Sequence, residues 1–119
     1  MATQQLFDSL FAISGAIRYV ALRLGDDLDM RQRAGISAAS SSESDRYEEL
    51  LVNPTLLTLA GQRGRIDCGG LEFILIRYGN FFQLVHPLKA SHISIATEPE
   101  ADPLSLVASI RQILVQHGL

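Results

Sequence analysis

At 119 residues the chain has room for one compact domain and none for a large catalytic domain beside it. Hydrophobic residues at 47% against 19% charged give a globular balance, and a formal charge of -3 with a pI near 5.5 creates no field that would attract nucleic acid or an anionic membrane. The lone Cys68 excludes an internal disulfide, the N-terminus lacks the pattern of a secretory signal, and no run approaches the roughly 20 apolar residues of a membrane span, so the expectation is a soluble cytoplasmic protein.

Residues 4–13 place Leu6, Phe7, Leu10 and Phe11 on one side, as a short helix with one core-facing stripe would, and Ser14-Gly15 ends it. Residues 16–24 (AIRYVALRL) are rich in strand formers, interrupted by Arg18 and Arg23, and Gly25-Asp26-Asp27 is turn chemistry. The return arm, residues 28–34, alternates Asp29, Arg31 and Arg33 with Leu28, Met30 and Gln32, a charged pattern suited to a sheet edge. Residues 37–44 (SAASSSES) read as an exposed loop leading into a helix start. From Asp45 a helical pattern carries Tyr47, Leu50, Leu51, Leu56, Leu57 and Leu59; it is expected to kink or restart at Pro54 with Asn53 as cap, and to end at Gly61 and Gly64.

Gly69-Gly70 then leads into residues 71–85, LEFILIRYGNFFQLV, two apolar runs around Gly79-Asn80. This predicts a β-hairpin whose turn uses the positive φ angles that Gly and Asn accept. Its first arm is apolar on both faces, with Leu71, Phe73 and Leu75 on one and Ile74 and Ile76 on the other, so something must cover both. Residues 92–97 (HISIAT) alternate as a third strand of this group, and Asp102-Pro103 sets an N-cap with proline at the first helical position. Leu106, Val107, Ile110, Ile113 and Leu114 form the last buried stripe, with Gly118 as C-cap.

The expected fold is therefore α+β, a five-stranded antiparallel sheet in the order α-β-β-α-β-β-β-α, a profilin-like architecture spanning residues 1–119 as one domain. Residues 50–85, LLVNPTLLTLAGQRGRIDCGGLEFILIRYGNFFQLV, resemble the Roadblock family of dynein light-chain relatives and their bacterial counterparts, and the element order is similar from Leu6 to Leu114. Pro54 in the central helix and the charged Arg31 and Arg33 depart from that pattern. The resemblance implies a homodimer in which third strands pair edge to edge and central helices pack across the two-fold. Carried over, Leu71, Phe73, Leu75, Arg77, Leu51 and Leu57 would form the dimer interface. Independently, terminal helices on one sheet face and a paired central helix on the other would leave no large apolar patch bare.

No catalytic pattern emerges. His86, His92 and His117 are scattered, without metal-ligand spacing, and are read as sheet-end hydrogen bonding for the first two and a solvated terminus for the third. Cys68 has no CxxC partner and reads as a small, partly buried side chain rather than a reactive thiol near Arg63 and Arg65. Gly61 and Gly64 lack the Lys-Ser/Thr of a phosphate loop, and there is no GxSxG elbow. Asp26-Asp27 reads as turn chemistry and Glu48-Glu49 as a solvated helix face. No metal or cofactor is expected.

The function implied by the resemblance is a non-catalytic interaction module that binds a small Ras-like GTPase and regulates or scaffolds it. Bacterial relatives accelerate hydrolysis by ordering the GTPase's own catalytic groups. Tyr47 and Leu50 would supply apolar contacts and Arg46 and Arg63 polar ones, with Arg65 and Arg77 nearby. A small-ligand sensor and a purely structural scaffold are the alternatives. The sensor needs a cavity, and Phe7, Phe11, Phe73, Phe81 and Phe82 favour a filled core.

Overall fold

Helix α1 (Thr3–Phe11) buries Leu6, Phe7 and Leu10, and its polypeptide turns through Ser14 into a hairpin of β1 (Ile17–Leu24) and β2 (Asp27–Gln32). A computed structural model describes residues 3–89 and 91–119. Next come α2 (Ser42–Tyr47), a π-helical turn over Glu48–Val52 and α3 (Asn53–Asp67), which run on as one central helix. Strands β3 (Ile74–Arg77), β4 (Phe82–Leu88) and β5 (Ser91–Thr97) succeed it, then a 3₁₀ turn (Pro103–Leu106) and α4 (Val107–Gln116). The antiparallel sheet has the order β2-β1-β5-β4-β3, so the charged strand and the doubly apolar strand are its two edges. Among the described residues no helix is long and apolar enough to cross a membrane.

The two faces of the sheet differ in chemistry. On one, Val20, Leu22, Leu84, Ile93 and Ile95 pack with Leu6 and Leu10 of α1 and Ile110 and Leu114 of α4 into a mainly apolar core. On the other, alternate positions of the same strands carry Tyr19, Ala21, Gln83, His92, Ser94 and Ala96, small or polar, and the central helix lies over them. A register shift between Ile17 and Tyr19 breaks the alternation of β1, and the residue it displaces is Arg18. Buried, Arg18 donates to the Glu98 carboxylate at 2.9 Å and to the Ser37 carbonyl at 2.7 Å, pinning the serine-rich loop to the sheet end. Arg33, beyond β2, likewise donates to the Ile17, Phe11 and Ser14 carbonyls and closes the α1–β1 junction.

Several local expectations change. Gly61 and Gly64 do not end the central helix; both are buried inside it. At Gly64 a Cβ would stand 3.1 Å from backbone atoms of Gly70 and Leu71, so the glycine permits the chain to cross the helix as it leaves Gly69 and Gly70, which take φ of +80° and +90°. Asp102 makes no side-chain cap; its carbonyl accepts from Ser105, and the proline starts a 3₁₀ turn that delays the α-helix to Val107. Gly118 is a C-terminal stop as expected, with φ +77° and the Leu119 N–H reaching the Leu114 carbonyl at 2.8 Å. Neither Gly79 nor Asn80 has positive φ. The hairpin closes through the Tyr78 N–H on the Phe81 carbonyl, and ladder pairing stops at Arg77 and Phe82, the splaying expected when the turn is not of the primed type. Cys68 is exposed at the end of α3, with its Sγ on Asp67, rather than partly buried.

His86 also departs from sheet-end hydrogen bonding. It is buried on the apolar face with Nε2 unpartnered, its ring 5.8 Å from that of Phe73. Burial, helped by the Arg111 charge, pushes its pKa down to about 4. Below the ordinary imidazole range the unfolded chain therefore binds a proton that the folded protein refuses. Stability is complete above that range and falls as pH drops toward about 4, with about 2 kcal/mol lost by about pH 5. His86→Leu should remove this component: urea unfolding would show wild type losing ground to the variant on acidification from neutrality, and parallel declines would contradict it.

Candidate functional site

Proline at position 54 has no N–H to continue the α-helical ladder, and its ring crowds the carbonyl four residues back. The helix answers by widening into the π turn, where the Asn53 N–H bonds the Glu48 carbonyl five residues back, and α-helical bonding resumes from Asn53. Asn53 is therefore not a cap. It sits one helical turn after Glu49, and both side chains face the sheet with no exposure at all.

Glu49, expected on a solvated face, is the centre of a buried polar cluster. Its Oε1 lies 2.8 Å from His92 Nε2 and accepts from Ser94 Oγ at 2.6 Å and Asn53 Nδ2 at 3.0 Å. Its Oε2 accepts from the Tyr19 hydroxyl at 3.0 Å and Gln83 Nε2 at 3.3 Å. Both oxygens act as acceptors, the role of an ionised carboxylate. Burying a carboxylate costs several kcal/mol unless its lone pairs are occupied, and this ring of donors meets that condition. Burial and the Glu49 charge together push the Tyr19 phenol far above its usual range. Asn53 Nδ2 also donates to Ser94, while its Oδ1 has no partner among the described residues.

With Glu49 and Asn53 on the sheet, the central helix leaves large apolar side chains exposed among polar ones such as Thr55, Thr58, Gln62 and Arg63. Tyr47 is 61% exposed, Leu51 51%, Leu59 63% and Ile66 75%, with Leu50 and Leu56 also exposed and Leu57 half-buried. Arg46 is exposed beside Tyr47 in sequence, while Arg63 is exposed several turns further along the helix and paired with Asp67 at 2.6 Å, so the structure does not bring these two arginines together. The remaining candidates lie on the β3 side. Leu71 and Phe73 are half-buried before the ladder begins, Leu75 is exposed, and Arg77 stacks over Phe82. One edge of β3 has no neighbouring strand.

Two open clefts of about 400 Å³ each flank the Glu49 cluster, while Phe7, Phe11 and Phe73 pack in or against the core as expected. The first lies between the start of the central helix and the β3–β4 turn, with Asp45, Glu48, Tyr47 and Tyr78 in its walls and Tyr19, Gln83 and Glu49 on its floor. Tyr78 donates to Glu48 at 3.0 Å. Burial raises the Glu48 and Asp45 carboxyls above their usual range against hydrogen bonds from Tyr78 and Ser40 that lower them, and pushes the Tyr78 phenol up to about 12. The second cleft is lined by Arg23, Arg65, Thr58, Pro54 and His92, with no carboxylate. Among the described residues no three His, Cys, Asp or Glu side chains converge as metal ligands.

The cluster escaped sequence reasoning because an acidic residue in a helix usually faces water. The available signals were the Glu49–Asn53 spacing of one turn and the run of polar residues at His92 and Ser94 on one face of β5. Glu49→Ala would remove the shared partner of Tyr19, Asn53, Gln83, His92 and Ser94 and should lower unfolding free energy by about 3–5 kcal/mol in urea titrations. A loss under about 1 kcal/mol would show that the cluster does not hold the helix.

No protein-family profile matches the chain, and no curated protein does. Solved structures do. A Roadblock/LC7 domain from Streptomyces avermitilis superimposes with a TM-score of 0.72 at 14% identity, covering 94% of this chain and 91% of that one. MglC from Myxococcus xanthus gives a TM-score of 0.57 at 10% identity, covering 98% and 99%. The fold of this chain is that of the Roadblock/LC7 domains.

Proposed function

We propose that the chain is a non-catalytic homodimeric module that binds a small Ras-like GTPase and regulates or scaffolds it. The observation that carries this reading is the exposed apolar side chains of the central helix. Tyr47, Leu50, Leu51, Leu56, Leu59 and Ile66 are large exposed hydrophobic side chains on one helix, and patches of that kind mark contact surfaces. The free edge of β3 beside them supplies unpaired backbone groups for a symmetry-related strand. The Roadblock/LC7 fold agrees with the family resemblance in the sequence, and it is that resemblance which implies the dimer and the GTPase partner. In this reading Leu51 and Leu57 with Leu71, Phe73, Leu75 and Arg77 make the dimer seam, and Tyr47, Leu50, Arg46 and Arg63 contact the GTPase.

A small-ligand sensor is the second reading, favoured by the two clefts beside the sheet. A structural scaffold differs from the first reading only in lacking an effect on the GTPase.

Affinity capture with the wild-type chain should recover a nucleotide-binding protein of the Ras-like class. Tyr47→Ala and Arg46→Ala should each weaken that complex about tenfold, as aromatic and arginine anchors do. Leu51→Glu, which places a charge on the outward helix face, should give a folded monomer by light scattering. Recovery of no nucleotide-binding protein would overturn the GTPase reading, and an unchanged dimer for Leu51→Glu would overturn the seam.

A further inference from the structure

The cleft at the start of the central helix combines three features with one chemical meaning. Its walls are aromatic: Tyr47 stands at the rim, and Tyr78 packs on Phe81 with ring centroids 5.3 Å apart. Its charged lining is mostly acidic, with Asp45 and Glu48 at the sides and Glu49 behind the floor, and no cationic side chain of the described residues is paired with Asp45 or Glu48. Arg18 also reaches the cleft, but its guanidinium is committed to Glu98 and to the Ser37 and Ala38 carbonyls. The floor offers an acceptor. Gln83 is 1% exposed, spends its amide N–H on Glu49, and receives no hydrogen bond on its carbonyl oxygen from any described residue.

From this geometry we infer that the cleft binds a small organic cation, an alkylammonium or alkylguanidinium, with its charged head against Glu48, Asp45 and the Gln83 carbonyl and its stem against Tyr47 and Tyr78. A volume of about 400 Å³ lies within the range of small-molecule sites. Aromatic faces attract a cation through the ring quadrupole, and a half-buried carboxylate without a cationic partner gains most from one. Neutral ligands would leave the carboxylates desolvated and unpaired, and anions would be repelled. The second cleft, with Arg23 and Arg65 and no carboxylate, offers a built-in contrast, since it would reject the same ligand. The site shares Tyr47 with the proposed GTPase contact but takes Asp45, Glu48, Tyr78 and Gln83 from outside it, so cation binding by the chain alone is tested apart from any GTPase.

Calorimetric and NMR titrations of the full chain with butylguanidinium and butylammonium test it, with butylurea as the uncharged isostere. Both cations should bind saturably, with amide shifts confined to the helix start and the β3–β4 turn, and butylurea should bind at least about tenfold more weakly. Glu48→Gln should weaken the cations about tenfold and Tyr47→Ala about threefold. Tyr47 is an exposed side chain, so its variant keeps the test valid even if Glu48→Gln fails to fold. Equal binding of butylurea, shifts centred on the Arg23–Arg65 cleft, or cation binding untouched by Tyr47→Ala would overturn the assignment. A capped arginine peptide binding more tightly than butylguanidinium would move the ligand to a side chain of a bound protein and overturn the small-molecule assignment.

Discussion

A carboxylate held between a helix and a sheet governs this structure. Glu49 accepts hydrogen bonds from its own helix and from three strands, through Asn53, Tyr19, Gln83 and Ser94, with His92 completing the ring. Each partner is set by alternation in its strand or by the one-turn spacing in the helix. Such contacts are directional. An apolar interface would tolerate rotation of the helix about its axis, whereas a carboxylate whose two oxygens meet five named groups accepts essentially one rotation. The π turn that Pro54 induces lies in this segment and spans Glu48–Val52, so backbone irregularity and buried charge are parts of one local solution.

That rotation leaves the leucines of the helix exposed. In most surface helices the apolar stripe faces the core and the polar stripe faces water. Here the sheet receives Glu49, Asn53 and two glycines, while Tyr47, Leu51, Leu59 and Ile66 look outward. The larger apolar core lies between the sheet and the terminal helices, a smaller cluster of Tyr19, Ala21 and Ala96 lies on the other face, and the helix covering that face keeps large apolar side chains exposed. The proposed dimer covers those side chains. Two clefts of opposite charge character flank the Glu49 cluster, one beside the start of the helix and one beside residues 54–65.

The order of elements was legible because the chain punctuates it locally. Gly25, Gly69-Gly70 and Gly118 all take the left-handed backbone that glycine favours, and the stripe from Leu106 to Leu114 packs where its spacing predicts. The edge position of β2 was legible from its charge, whereas that of β3 came from the family resemblance, its two-sided hydrophobicity asking only that both faces be covered. Glu49 was not, since its burial depends on donors 30 to 45 residues away in sequence. A strand with polar residues on alternate positions, such as β5, reads as half-solvated, and only the covering helix reveals that its polar face is interior. Gly64 was hidden for a similar reason: a glycine that ends a helix and one that admits a crossing chain look alike until the crossing at Gly70 is seen.

The central claim is that the outward side of this helix is a seam between two copies. Nitroxide labels on Leu59→Cys, in a chain with Cys68→Ser, measure it directly by pulsed electron resonance. Helices packed across a two-fold have axes about 8–10 Å apart, so the labels should report a narrow distance distribution of about 10–25 Å. Absence of any dipolar coupling between copies, or distances well beyond that range, would contradict the account.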